Sequence, residues 1–348
     1  MPSDRYRKQI LLPQLGEAGQ AKLRNACAMV VGVGALGCAS ADLLARAGIG
    51  RLILIDRDVV ELSNLHRQVL FDEADAAAAA AKAAAAAERV GRVNADVAVT
   101  PVVADVTSDN LRQLLRTHRP DVILDGTDNV QTRYLLNDAA VEAAVPWVYG
   151  GCVAAAGRVM PILPGGACLR CVFLQPPAPA DLPTCETAGV FGPAVAIVGA
   201  QQAALTLRIV TGQFTAADAA LVNFDAWTGR FHRTPLAGAL DPDCPACARR
   251  TFTFLDAPPA SAALCGRNAV QLRLGTGVIT DGAAGGDDVF DRVEARLSTG
   301  ATHYARNPYF VRCEVDGLRL SIFADGRVLV HGTSDVARAR TVAARYFG

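Results

Sequence analysis

Residues 30–37, VVGVGALG, constrain the fold more than any other stretch of the chain. An apolar run enters Gly32-x-Gly34-x-x-Gly37, the spacing at which a buried β-strand turns into a helix over a phosphate. Gly32 permits the tight bend, Gly34 lets the backbone approach a phosphate, and Gly37 lets helix and strand pack closely. Ala35 opens the helix, whose first N–H groups attract an anion. Asp56 ends the next apolar run, 24 residues after Gly32, where a carboxylate can accept hydrogen bonds from a ribose. Turn and acid together point to an adenosine nucleotide and say little about NAD in particular.

The rest of the first half repeats this rhythm. Strands are expected at 27–33, 51–56, 96–103, 121–129 and in PWVYGG, with helices at 35–48, around 76–90, at 108–118 and at about 129–144. Continuous apolar strands alternating with helices predict a doubly wound, mostly parallel α/β sheet. The alanine-rich run at 75–87 consists of strong helix formers and is read as helix. QPPAPADLPTCE, 175–186, reads as an exposed crossover loop. DAPPASAA, from about 256, reads as a linker. It divides the chain into a nucleotide-binding domain, 1–255, and a small α+β domain, 256–348. In the latter a strand, a helix, three short antiparallel strands and a closing helix are expected.

The segment beyond Asp56 departs from a dinucleotide site. DRDVVELSNLHRQ places Ser63, Asn64, Arg67 and Gln68 just past the ribose acid. An arginine there suits a triphosphate, whose oxygens it can grip bidentately; taken alone it is equally a surface arginine. Lys82 is the one charge between Asp75 and Glu88. It is either a solvated lysine that keeps an alanine helix soluble or a phosphate-binding lysine. LDGTDN ends the fourth strand, so Asp128 is placed to hold Mg²⁺ on a triphosphate, with Asn129 beside it. Either residue can also cap the helix that follows.

The chain has ten cysteines among 348 residues. CLRC, Cys168 and Cys171, and CPAC, Cys244 and Cys247, can supply four thiolates to one tetrahedral zinc, stapling a distant stretch onto the main domain. Four protein ligands close the site, so the metal is read as structural. Cys185, in the proline-rich crossover, is a candidate nucleophile; Cys265, near Arg267, has a weaker claim. Cys27, Cys38, Cys152 and Cys313 sit in apolar surroundings and are assigned to the core. Lys+Arg and Asp+Glu both number 34, which gives no electrostatic case for nucleic acid or an anionic membrane. The N-terminal stretch lacks the apolar core of a signal peptide, and the apolar window 188–210 is broken by Pro193, Gln201 and Gln202. A cytoplasmic protein is expected.

Together RYRKQILL, GVGALG, DRDVVELSNLHRQ, DGTDN, CLRC, PTCETAG and CPAC resemble the ubiquitin-activating-enzyme-like superfamily, in order and near spacing, over residues 5 to about 250. Within it the chain resembles bacterial adenylyltransferases that activate sulfur-carrier proteins for molybdopterin or thiamine synthesis. The resemblance implies that ATP·Mg²⁺ binds at the glycine turn. The C-terminal Gly-Gly carboxylate of a small ubiquitin-fold carrier then attacks the α-phosphate, leaving an acyl-adenylate for a sulfur nucleophile from a donor protein. Asp56 would hold the ribose, Asn64, Arg67 and Lys82 would neutralise the phosphates, and Asp128 would place the metal. A homodimer is implied, in which Lys8, where relatives have an arginine, or its neighbour Arg7, reaches the other subunit's ATP. Cys185 matches a position that links to the carrier in parts of the family. Two departures stand out: Lys8 itself, and the alanines before Lys82, where relatives carry Gly-x-Pro-Lys. The domain after 256 lacks the cysteine loop of a rhodanese module. An NAD-dependent oxidoreductase and a non-catalytic carrier-binding scaffold are the competing readings.

Overall fold

The computed structural model describes residues 4–177, 185–257, 263–264, 269–273, 286–297, 301–323 and 326–347. The chain forms two compact units, 1–258 and 259–348.

The first unit is built on eight strands: β1 (Cys27–Val31), β2 (Arg51–Asp56), β3 (Ala98–Val103), β4 (Val122–Asp125), β5 (Trp147–Val153), β6 (Ala156–Ile162), β7 (Ala220–Asp225) and β8 (Arg230–Pro235). They lie in the order β3-β2-β1-β4-β5-β6-β7-β8. The first five run parallel; β5 to β8 pair antiparallel. Every residue of β1 and β4 is buried, as a sheet covered on both faces demands. Met29, Ile53 and Ile123 face helices Leu111–His118 and Val130–Ala143. Val30, Leu54 and Leu124 face helices Ala35–Ala47, Lys82–Val93 and Gly192–Val210. Chain order reverses between β1 and β4, so a crevice opens beyond their carboxyl ends.

Two expectations need correction. The alanine-rich run is not one helix. It forms Glu73–Ala77, then breaks at Ala78–Ala81, where Ala79 takes a left-handed φ of 47°. Backbone bonds from Val60 N to Ala80 O and from Lys82 N to Asp58 O tie the break to the loop after β2. Tertiary pairing overrides helix propensity, and Lys82 starts a new helix, Lys82–Val93. Cys27, Cys38 and Cys313 are buried as expected, but Cys152 is only half-buried. Helix Gly192–Val210 is long and apolar enough to cross a membrane by length and composition. Here Pro193 lies in its first turn, and Ala194, Val195 and Val198 pack in the core. Buried Gln202 donates to the carbonyls of Asp125 (2.7 Å) and Val148 (3.2 Å).

The second unit is an antiparallel sheet, β9 (Ala263–Leu264), β10 (Ala269–Arg273), β11 (Thr302–Arg306), β12 (Phe310–Val315), β13 (Leu318–Phe323) and β14 (Arg327–His331), in the order β11-β12-β13-β14-β10-β9. Helices Gly286–Leu297 and Val336–Phe347 share a core with one of its faces: Phe290, Val293, Val342 and Phe347 pack with Val270, Val311, Leu320 and Val330. β11 and β9 were not anticipated from the sequence.

Candidate active site

The turn after β1 and the turn after β4 interlock. Gly32 has φ +86° and its N–H reaches the Ile55 carbonyl at 2.8 Å. A methyl group on Gly37 or Gly126 would overlap the Gly32 carbonyl oxygen, and one on Gly32 would lie 2.7 Å from the Gly126 carbonyl carbon. Gly34 is different. A Cβ there would meet nothing nearer than the Gly126 oxygen at 3.9 Å and the Gln68 Nε2 at 4.0 Å. The packed glycines hold the turn, and Gly34 presents open space at the start of helix Ala35–Ala47.

Asp56 is buried at the end of β2. Its Oδ2 accepts the Val33 N–H at 2.6 Å and its Oδ1 the Asp58 N–H at 2.7 Å, so the acid and the glycine turn are one assembly. Burial, more than any neighbouring charge, pushes the Asp56 carboxyl up; Lys82 pulls it back. Lys82 is 4 % exposed, which removes the solvated-lysine reading. Its Nζ lies 3.5 Å from Asp58 Oδ2, a loose pair for a buried cation.

The loop after β2 carries the next group. Asn64 is buried in the 3-10 turn Leu62–Asn64, next to exposed Ser63. Arg67 is half-buried, and its guanidinium donates to the Ser63 carbonyl at 2.9 Å. Beyond β4, Asn129 caps helix Val130–Ala143, accepting from the N–H groups of Gln131 and Thr132. The cap is thus Asn129, and Asp128 stays exposed at the crevice. Beneath it, Asp125 is fully buried and burial pushes its carboxyl up, although it accepts from Arg133 Nε at 3.1 Å and from the Thr127 N–H and hydroxyl. Arg133 also donates to the Thr127 carbonyl at 2.7 Å and lies over the Tyr149 ring.

Arg7 and Lys8 are exposed on the short helix Arg7–Ile10. Cys185 begins helix Cys185–Ala188, but its side chain, residues 178–184 and Cys265 lie outside the described residues. The turn before Val190 pairs with the end of β5: Ala154 N–H reaches the Gly189 carbonyl at 3.0 Å.

The four cysteines of the two Cys-x-x-Cys pairs converge, their sulfurs all within 4.8 Å of one another. Cys168 and Cys244 are 3.6 Å apart, Cys171 and Cys247 3.4 Å, and Cys168 and Cys171 3.9 Å. Tetrahedral Zn–S bonds put sulfurs about 3.8 Å apart, so the cluster fits one ion with no open position. Asn137, from helix Val130–Ala143, accepts the Leu169 N–H at 2.9 Å and points its amide at Cys168.

The model of the ThiF family matches residues 6–246. The chain belongs to the ThiF family. It is 38% identical over 347 residues to the sulfur carrier protein ThiS adenylyltransferase of Bacillus subtilis (strain 168), a match that covers 99% of both chains and so runs through the second unit. It is 43% identical over 247 residues to the adenylyltransferase and sulfurtransferase MOCS3 of Sus scrofa, covering 71% of this chain and 53% of that one; the chain spans about half that relative's length. Among solved structures, E. coli MccB crystallised with succinimide superposes with a TM-score of 0.61 at 22% identity, over 71% of this chain and 74% of that chain, a likeness of fold.

Within this ThiF fold, sequence reasoning passed over Gly126, Arg133 and Asn137, and read Gln202 only as a polar break in an apolar window. Gly126 sits inside the quoted DGTDN and could have been flagged as a glycine directly after a buried strand. The other three act through tertiary contacts that no local pattern announces.

Proposed function

We propose that this ThiF-family protein adenylates the C-terminal glycine carboxylate of a small ubiquitin-like sulfur-carrier protein. ATP enters the crevice beyond β1, β2 and β4, with its phosphates over Gly34. The attacking carboxylate is already ionised at neutral pH, so no side-chain base is required. Its oxygen bonds to the α-phosphorus, the bond to the bridging oxygen breaks, and pyrophosphate departs with the electron pair. Charge grows on the departing phosphates, where fixed cations act most strongly. Lys82 and Arg67 supply those cations, Asp56 accepts from the ribose, and Asp128 holds the Mg²⁺ that travels with ATP.

The observation that carries this reading is the burial of Lys82 beside Asp56 and Asp58. A buried ammonium with one partner at 3.5 Å is costly to a fold and useful to a polyphosphate. The name of the Bacillus subtilis relative, a sulfur carrier protein ThiS adenylyltransferase matched over 99% of both chains, supports the same reading. The Cys168–Cys171–Cys244–Cys247 cluster would hold a structural zinc. Lys8 or Arg7 would serve the second subunit of a homodimer, and the Cys185 thiolate would attack the acyl-adenylate, forming a thioester to the carrier and releasing AMP, before sulfur arrives from a donor protein. The test is ATP–pyrophosphate exchange with and without a carrier ending in Gly-Gly. Exchange that appears only with the intact carrier supports the proposal. Exchange absent under both conditions, with ATP and carrier saturating, removes it.

A further inference from the structure

Asn137 is an asparagine where helix and core both favour an apolar residue. It lies in the body of helix Val130–Ala143 and is fully buried, although asparagine is a poor former of helix interiors. Its neighbours Leu136 and Ala140 pack with Ala167 and Leu169 in an apolar core, so a leucine would suit both helix and surroundings. Burying the amide carries a cost that its hydrogen bonds must offset.

Two contacts do so, and they differ in kind. Asn137 Oδ1 accepts the Leu169 N–H at 2.9 Å. Leu169 opens the short helix Leu169–Val172, whose N-cap, Cys168, makes no side-chain cap bond, so Asn137 meets a backbone donor left over there. That contact serves the fold whatever the cysteines hold. It also sets the amide's orientation. A backbone N–H can only donate, so the oxygen faces Leu169 and the NH₂ group faces the sulfur. Asn137 Nδ2 stands 3.8 Å from Cys168 Sγ. The worth of this second contact depends on the state of the sulfur. A neutral thiol is a weak acceptor, whereas a thiolate is charged and takes the hydrogen bond more strongly. Metal binding is what makes the thiolate.

The surroundings leave this task to Asn137. Cys168 and Cys244 are buried, whereas Cys171 and Cys247 are half-buried and open to water that can share a thiolate's charge. The adjacent acid, Asp138, is fully buried and turned elsewhere: it accepts the Phe254 N–H at 2.9 Å and lies 3.5 Å from Arg170 Nη1. We infer that Asn137 is a positioning residue of the metal centre, whose amide N–H donates to the Cys168 thiolate and so strengthens metal binding beyond what it adds to the bare fold. The inference rests on the zinc reading above and adds to it a residue outside both cysteine motifs.

The test uses the full chain and two substitutions, Asn137→Leu and Asn137→Asp, with zinc and cobalt(II) as probes. Asn137→Leu removes both contacts. Asn137→Asp, studied at about pH 8 to keep the carboxylate ionised, retains an oxygen for Leu169 and loses only the donor. Competition with a chelator of known strength reads zinc affinity, the sulfur-to-cobalt charge-transfer band reads the electron density on the thiolates, and urea midpoints of the zinc-loaded proteins read the fold. Both variants should hold zinc about 10–100-fold more weakly than wild type. Both should move the charge-transfer band to longer wavelength, because a thiolate without its hydrogen bond gives up an electron more readily. Asn137→Leu should also unfold at lower urea than Asn137→Asp, since the Leu169 N–H is stranded. Wild-type zinc affinity or an unmoved band in either folded variant overturns the inference. A lowered urea midpoint with affinity and band unchanged does the same and assigns the amide to the fold alone. If wild-type protein takes up no zinc, the metal reading falls before the variants are compared; if it takes up zinc and the variants match it, only the role of Asn137 falls.

Discussion

Arg133 Nε meets the Asp125 carboxylate at 3.1 Å beneath the turn that presents Asp128. Asp125 is fully buried and Arg133 partly so, and the same guanidinium holds the Thr127 carbonyl. The pair therefore fixes the backbone one residue before the exposed acid. Removing one partner of a buried ion pair strands the other in a low-dielectric site. Arg133→Met is expected to destabilise the first unit by about 3–5 kcal/mol, measured by urea unfolding. Asp125→Asn keeps shape and the Thr127 bonds and should cost clearly less. A loss below about 1 kcal/mol in Arg133→Met would show that the ion pair does not govern this turn.

The glycines divide into those the fold needs and one the ligand needs. Gly126→Ala drives a methyl group into the Gly32 carbonyl, a backbone atom that cannot give. It should cost about 3 kcal/mol, the upper part of the overpacking range. Gly34→Ala meets no atom closer than 3.9 Å, at a negative φ of −83°. It should stay folded and lose ATP binding, because the methyl group fills the space proposed for the phosphates. Wild-type affinity in folded Gly34→Ala would move the nucleotide elsewhere.

A metal held by the cysteine cluster would join residues 168–171 to 244–247 across the chain. Cys247→Ser is expected to drop bound zinc from one per chain toward zero in elemental analysis. Residues 241–256 should then become sensitive to limited proteolysis, because the ligands anchor that stretch. Buried Cys244 and Leu255 argue that some packing survives. A variant without metal that resists protease like wild type would reduce the ion to an ornament of an already stable fold.

His118 gives a pH signature. Burial, helped by the Arg51 charge, lowers its pKa below 6.5 in the folded chain. The unfolded chain therefore binds the proton more readily between that lowered value and 6.5. Stability should rise with pH through this window and flatten above it. Urea midpoints at about pH 5.5 and about pH 7.5 should differ less in His118→Gln than in wild type. An unchanged difference would assign the slope to other groups.

Much of this architecture was legible because it is local. The glycine spacing, the apolar strands and Asp56 are patterns within a few residues, and each stands where the pattern put it. The cysteine pairs were legible at long range only because zinc demands four ligands. What stayed hidden is tertiary. Ala78–Ala81 has every propensity for helix, and the break comes from backbone bonds to Asp58 and Val60 that no alanine run can disclose. Gln202 reaches the Asp125 carbonyl across 77 positions of sequence. The antiparallel strands β6 to β8 lack the βαβ rhythm that betrays the parallel ones. A role that would depend on a second subunit, such as the one proposed for Lys8 or Arg7, leaves no mark inside one chain.

That break in the alanine run is what gives Lys82 its place, and Lys82 offers the sharpest test of the chemistry. Had 75–87 been one continuous helix, a lysine at 82 would sit mid-helix on a face set by periodicity alone. Because the chain instead pairs with Asp58 through Lys82 N, the side chain starts a helix and turns inward, 5 % exposed, toward Asp58 and Asp56. Asp58 keeps Arg57 at 3.8 Å when the lysine is lost, so Lys82→Met should remain folded, with a melting point near that of wild type. In the proposed reaction, however, the charge developing on pyrophosphate would lose its buried cation. Removing one such preorganised contact typically costs about 10²–10³ in rate, and carrier-dependent ATP–pyrophosphate exchange should fall by that factor. Lys82→Arg keeps the charge on a longer, planar head that the buried slot does not fit, and should rescue only partly. Exchange at the wild-type rate in folded Lys82→Met would leave the buried ammonium without a chemical purpose and would return the phosphate-binding role to Arg67 alone.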